Sequence, residues 1–163
     1  VGLDLYRIDD RLIHGQVVVG WGQPLDLRFI VLVDEEVATS DWEQELYRMG
    51  VPPEMDVHFE SLETAALHLA KYQADPRPGL LLTGDIATMA QLVQATHAIP
   101  SVNLGGIHHK PGRVQRLRYV FLSPAEEGAL RELARGGVVV TAQDVPAARP
   151  LPLDEVLSGE GNR

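Results

Sequence analysis

Apolar and polar positions alternate along this chain on two different periods. Leu27-Arg28-Phe29-Ile30-Val31-Leu32-Val33 is almost continuously apolar, the pattern of a strand buried on both faces, as in a parallel sheet covered by helices. Leu80-Leu81-Leu82 repeats it. Shorter runs at Leu3–Ile8, Asp56–Glu60, Ser101–Leu104, Tyr119–Leu122 and Val138–Ala142 complete the predicted strands.

Between them lie segments of helical period. Ser61 caps a helix to about Tyr72, with Leu62, Ala65, Ala66 and Leu69 on one face. Ile86, Met89, Ala90 and Val93 form the stripe of another that reaches about His97, with Met89 as core filling. Ser40 and Glu43 read as a capping box for a helix from Asp41 to Met49, closed by Gly50 and barred by Pro52-Pro53. Ser123-Pro124-Ala125-Glu126 opens a helix to Arg135. A short helix from Gln16 stops at Gly22 and Pro24, and another spans Leu153 to Leu157. Strand and helix alternate repeatedly, which predicts an α/β fold: an open, mostly parallel twisted sheet of six or seven strands with helices on both faces. Ligands of such sheets bind beyond the carboxyl ends of the strands. That brings three loops together: Asp9–Gln16, Thr83–Asp85 and Asn103–Arg113.

Composition narrows the function. The chain has 163 residues, with 14 Lys and Arg against 23 Asp and Glu, a net charge of −9. Such a balance argues against a nucleic-acid partner. Cysteine is absent, which excludes disulfides and thiolate metal sites and fits a cytoplasmic setting. No apolar run is long enough to span a bilayer, and the first ten residues do not read as a signal peptide. Between Asp85 and Glu126 no acidic residue occurs, while Lys110, Arg113, Arg116 and Arg118 do. Such a stretch suits a small anion or an acidic partner, although a solvated basic loop is the plainer alternative.

The candidate chemistry lies at Arg7-Ile-Asp-Asp-Arg-Leu-Ile-His-Gly-Gln-Val17. His14 falls between a strand end and a helix start, where backbone N–H groups and the helix dipole favour an anion. Gly15 allows close approach, and Arg11 offers a planar charged fork suited to phosphate oxygens. A neutral imidazole is available at cell pH to take a phosphoryl group, though a histidine at a helix start is often only a cap. Asp9 and Asp10 are read as loop-structuring, one holding Arg11 or accepting the second N–H of the imidazole. Asp34-Glu35-Glu36 reads as a solvated strand end. His58 and His68 carry no supporting pattern. A metal at His108-His109 is disfavoured, because adjacent histidines rarely point the same way and no carboxylate is near in sequence.

The same stretch resembles the signature of the IIB subunits of the mannose/fructose/sorbose class of the bacterial sugar phosphotransferase system. Ser101-Val-Asn-Leu-Gly-Gly106 is similar to a second run of that family, with Ile107 where Met is usual and an unusual His108-His109 after it. The resemblance implies one IIB-type domain over residues 1–163, with 158–163 a loose tail. It implies a protein-N-phosphohistidine–sugar phosphotransferase in which His14 accepts phosphate, on Nδ1 by family analogy, from a IIA phosphohistidine. His14 then passes it to a sugar held by membrane subunits IIC and IID. Arg11 and the amides of Gly15, Gln16 and Val17 are expected to hold the phosphate, supported by Asp9, Asp10, Thr83 and Asn103. A side-chain donor is expected from Gln16 or Thr83. No cofactor or metal is expected beyond the covalent phosphohistidine. The protein is expected in the cytoplasm at the inner membrane face. The sequence does not choose the sugar, and it leaves the oligomeric state open, a homo-oligomer included. Two other readings stay open: a hydrolase, since Arg-x-x-His-Gly faintly resembles the Arg-His-Gly of histidine phosphatases at the wrong spacing, and a non-catalytic module that reports sugar supply.

Overall fold

The computed structural model describes residues 2–158. Seven strands make one sheet in the order β3-β2-β4-β1-β5-β8-β9. They are β1 (Gly2–Ile8), β2 (Phe29–Val33), β3 (Asp56–Glu60), β4 (Pro78–Thr83), β5 (Ser101–Leu104), β8 (Val139–Ala142) and β9 (Leu151–Pro152). All neighbours are parallel except the β8–β9 edge. The alternating faces of β2 sort into two cores. Phe29, Val31 and Val33 face one, Ile30 and Leu32 the other, and all five are buried.

Helices cover both faces, as the patterning predicts. On one side lie α3 (Leu62–Gln73), α4 (Ile86–Thr96), α5 (Pro124–Arg135) and α6 (Leu153–Ser158). On the other lie a π-helix (Gln16–Trp21), α1 (Glu35–Ala38) and α2 (Asp41–Met49). The capping chemistry holds at Ser61, whose box partner is Thr64, and at Ser123 with Glu126. At Ser40 the side chain accepts from the Glu43 amide at 3.4 Å. Met89 is fully buried.

Three expectations need correction. Val120–Leu122 (β7) does not join the sheet. It pairs antiparallel with Val114–Leu117 (β6), a strand hidden in the basic stretch because three of its four residues are at least partly exposed. The seventh sheet position is taken instead by β9, only two residues long. Asp34-Glu35-Glu36 is not merely solvated: Asp34 Oδ1 caps α1 through the Val37 amide at 3.0 Å, and Glu35 accepts from the Leu62 amide at 2.7 Å. Of the tail, Ser158 closes α6, and residues 159–163 lie outside the described residues.

The order of strands positions the site. The chain leaves β1 in one direction across the sheet, toward β2, while β4 and β5 send it in the other. A crevice opens at such a reversal, beyond the carboxyl end of β1.

Candidate functional site

Three strand ends are laced together at that crevice. The Thr83 carbonyl accepts from the Asp9 amide at 2.9 Å, the Gly106 carbonyl from the Asp10 amide at 2.9 Å, and the Ile8 carbonyl from the Gly105 amide at 2.7 Å. The chain then turns tightly, with the Leu12 amide donating to the Asp9 carbonyl at 3.0 Å. Leu12 sits in the left-handed region at φ 57°, a conformation a branched side chain adopts only under external constraint. Its carbonyl accepts from His14 Nδ1 at 2.7 Å. Because a carbonyl can only accept, Nδ1 carries the proton and Nε2 the lone pair. Nε2 is buried and has no hydrogen-bond partner among the described residues. The residue as a whole is half-buried, followed by an exposed Gly15.

Around Asp9, five residues earlier in the chain, runs a network of charges. Asp9 is wholly buried, and its carboxylate takes Arg11 Nε on Oδ1 at 2.9 Å and Arg11 Nη2 on Oδ2 at 2.7 Å. Oδ2 also faces the fully buried Arg7, 3.5 Å from Nη2. Burial alone would raise the Asp9 pKa, but hydrogen bonds from the Arg11 side chain and amide, with the charges of Arg11 and Arg7, hold it below the usual carboxylate value. Burial lowers that of Arg7. The Arg7 guanidinium is shared further with Asn103 Oδ1, with the Gln143 carbonyl at 2.9 Å and with the Asp144 carbonyl at 3.2 Å. Its Cζ lies 4.6 Å from the centre of the Trp21 ring, a cation–π contact. Thus Asp9 spends itself on arginines, and the imidazole is oriented by the Leu12 carbonyl instead.

The second motif explains itself here. A methyl group at Gly105 would stand 2.6 Å from both Arg7 Cζ and Asp9 Oδ2, and one at Gly106 would stand 3.2 Å from Arg11 Nε. The paired glycines are the wall against which the buried Arg7 and the half-buried Arg11 rest.

The structure gathers Asp9, Arg11, Gln16 and Asn103 into one network, and His14, Gly15 and Val17 follow directly in the chain. Arg11 Nη1 donates to Gln16 Oε1 at 2.9 Å, and Gln16 Nε2 lies 3.5 Å from the Asp144 carbonyl. Asn103 Nδ2 donates to Gln143 Oε1 at 3.3 Å. Thr83 differs from expectation as a donor: it is fully buried and its hydroxyl is committed to the Asp85 carbonyl at 3.1 Å. Asp10 turns away to His108, accepting from its amide at 2.7 Å and meeting Nδ1 at 2.6 Å. His109 lies edge-on to Phe121. Among the described residues no three His, Asp or Glu side chains are placed to hold a metal ion. His58 meets Phe29 edge-on and Tyr72 at a tilt, and burial lowers its pKa, while His68 meets Glu60 at 2.6 Å.

The basic stretch is largely neutralised by acids from elsewhere. Arg113 pairs with Glu126, Arg116 with the buried Glu127, and Arg118 with Asp144. Sequence reasoning gave no role to Arg7 or to the Gln143-Asp144 loop. The signal was available: β8 is the parallel neighbour of β5, so its outgoing loop must reach the same edge.

Comparison with known proteins covers nearly the whole chain. The family model described as the PTS system sorbose subfamily IIB component matches residues 3–163. The sorbose-specific EIIB component of Klebsiella pneumoniae is 36% identical over 140 residues, 83% of each chain. The N-acetylgalactosamine-specific enzyme IIB component 1 of Escherichia coli K12 is 32% identical over 145 residues, 87% of this chain and 90% of that one. The crystal structure of the IIBSor domain of the Klebsiella pneumoniae sorbose permease superposes with a TM-score of 0.86 at 30% identity, covering 97% of this chain and 98% of the other.

Proposed function

The chain belongs to the sorbose subfamily of phosphotransferase-system IIB components, and from that premise we propose that it relays phosphate through His14 during sugar uptake. The donor is a IIA phosphohistidine, and the acceptor is a sugar held by membrane subunits IIC and IID. The protein works in the cytoplasm, at the inner membrane face. In the first step the donor's P–N bond breaks as a P–N bond to His14 forms. In the second that bond breaks as a P–O bond to a sugar hydroxyl forms, and the hydroxyl proton leaves to a base outside this chain.

The observation that carries this reading is a half-buried His14, its Nδ1 on the Leu12 carbonyl, three residues along the chain from an arginine that Asp9 fixes in place. Phosphoryl transfer has a loose transition state, so the protein supplies position and charge more than covalent chemistry. Arg11 is bound by Asp9 through Nε and Nη2. Among the described residues its Nη1 donates to Gln16 Oε1 alone, and exchanging that contact for a phosphate oxygen leaves the grip of Asp9 intact. The amides of Gly15, Gln16 and Val17 supply further donors. By family analogy Nδ1 is the nucleophile. At rest it donates to the Leu12 carbonyl, so the ring turns and sheds that proton before attack, at a cost of roughly 1 kcal/mol for one hydrogen bond. Nε2 then takes the proton and stabilises the phosphoimidazole.

The test is transfer of radiolabel from phosphorylated IIA to the wild type and to His14→Ala, with intact mass as a second readout. One labelled phosphoryl group on the wild type and none on the variant is expected. Equal labelling of the two removes His14 as the acceptor.

A further inference from the structure

Helix α2 is strongly two-sided, yet no residue in it is buried. Its inner side makes the contacts. Tyr47 packs against the second core with its ring 6.3 Å from Phe59, and Gln44 Nε2 donates to the carbonyls of Val37 and Ala38. The opposite side carries Trp42, Leu46 and Met49, spaced i, i+4, i+7 along one stripe and 68%, 52% and 73% exposed. Tryptophan and methionine are the residues that protein interfaces favour, and an ordered apolar stripe of this size in water calls for a partner.

Charge selects the partner. Exposed Asp41 and Glu45 flank the stripe, while Arg48, the cation of this helix, lies over the Phe59 ring. The surrounding sequence is acidic: residues 1–85 hold 16 acidic and 6 basic side chains, whereas residues 86–163 hold 7 and 8. A second copy of this face, or an anionic bilayer, meets like charge. A cationic protein surface with apolar side chains meets complementary charge. Cytoplasmic loops of integral membrane proteins have that character, because Lys and Arg accumulate there.

Position agrees. A relay must present His14 to donor and acceptor in turn, so the carboxyl edge of the sheet has to be vacated between steps. A lasting attachment belongs off that edge, and α2 lies along one face of the sheet. We infer that the Trp42-Leu46-Met49 stripe of α2 is the docking surface by which this chain stays attached to the basic cytoplasmic loops of its membrane subunits. This rests on the relay reading for the existence of those subunits.

The experiment is co-sedimentation of the full chain with inverted membrane vesicles that carry the cognate membrane subunits, against vesicles of the same lipids without them. Wild type is expected to bind only the former, more weakly at high salt. The variant Trp42→Ser/Leu46→Ser/Met49→Ser should bind at least tenfold more weakly, and Asp41→Lys/Glu45→Lys should also lose affinity. Both should keep the wild-type unfolding midpoint and accept phosphate from the donor as before. The inference is overturned if the triple variant binds like wild type. It is overturned as well if wild type binds subunit-free vesicles equally, or if the stripe instead supports a dimer that sedimentation equilibrium detects and the variant loses. Donor labelling separates the two readings: a chain that docks through α2 yet takes no phosphate on His14 sinks the relay alone, and one that is labelled yet docks without the stripe sinks the docking surface alone.

Discussion

Asp9 holds Arg11 by two parallel hydrogen bonds, Oδ1 to Nε at 2.9 Å and Oδ2 to Nη2 at 2.7 Å, from a position no solvent reaches. Bidentate geometry fixes the plane of the guanidinium as well as its place. The same carboxylate is the anion nearest the buried Arg7, so it serves the fold and the site together. Replacing it in Asp9→Asn leaves Arg7 charged and buried with its counter-charge removed. Loss of one member of a buried pair costs about 3–5 kcal/mol, which for a chain of this size lowers the unfolding midpoint by roughly 10 °C. Calorimetry of the two proteins at neutral pH checks this, and an unchanged midpoint would refute it.

Acid gives a second view of the same carboxylate. Its folded-state pKa lies below the ordinary 3.8, so the unfolded chain binds the proton more readily. The stability Asp9 contributes is therefore present in full well above pH 3.8 and is lost as the pH falls through the lower, folded value. Denaturant unfolding of wild type and Asp9→Asn should show their largest gap at pH 7 and a narrowing gap as the pH drops below 3.8. A gap that does not change with acid would mean that Asp9 is not ionised in the native state.

Two glycines should respond oppositely to the same substitution. In Gly105→Ala the added methyl meets Arg7 Cζ and Asp9 Oδ2, each at 2.6 Å, and both are pinned by their own hydrogen bonds. Overpacking there costs about 1–3 kcal/mol and displaces Arg11 with Asp9. In Gly128→Ala, inside α5, the methyl meets nothing within 4 Å, and alanine in a helix interior is worth about 0.5–1 kcal/mol over glycine. Urea unfolding of the pair distinguishes a packing wall from a spare glycine. Destabilisation of both by similar amounts would contradict the geometry.

The sheet and both helical layers were legible because the central strands β2 and β4 are built on continuous apolar runs and each long helix carries its own cap. Leu27–Val33, Leu80–Leu82, Ser61 and Ser123 needed no tertiary information. What escaped were elements whose reason lies elsewhere in the chain. β6 is mostly exposed and is a strand only because β7 lies beside it. β9 has two residues and exists because β8 needs an edge. The same holds for the site. His14 and Arg11 announce themselves by type and spacing. Arg7 looks like an ordinary strand residue until the carbonyls of Gln143 and Asp144 arrive across more than 130 positions of sequence. Asp10 looks like the partner of Asp9 and is instead that of His108, 98 residues away.

The tautomer of His14 is the most direct link between this geometry and the chemistry. Asp9 is engaged by arginines, among the described residues no carboxylate shares the imidazole proton, and the 2.7 Å contact to the Leu12 carbonyl assigns it to Nδ1. Leu12 presents that carbonyl from a left-handed backbone, φ 57°. Long-range 15N–1H correlation on the unphosphorylated protein in mildly alkaline solution should therefore find a pyrrole-type Nδ1 and a pyridine-type Nε2. The opposite pattern would mean that the ring is already turned for attack and that the Leu12 contact is not made in solution. If the resting form is the Nδ1–H tautomer, phosphorylation at Nδ1 reverses it, moving the proton to Nε2, and the same spectrum recorded after incubation with the donor follows the ring through its turn.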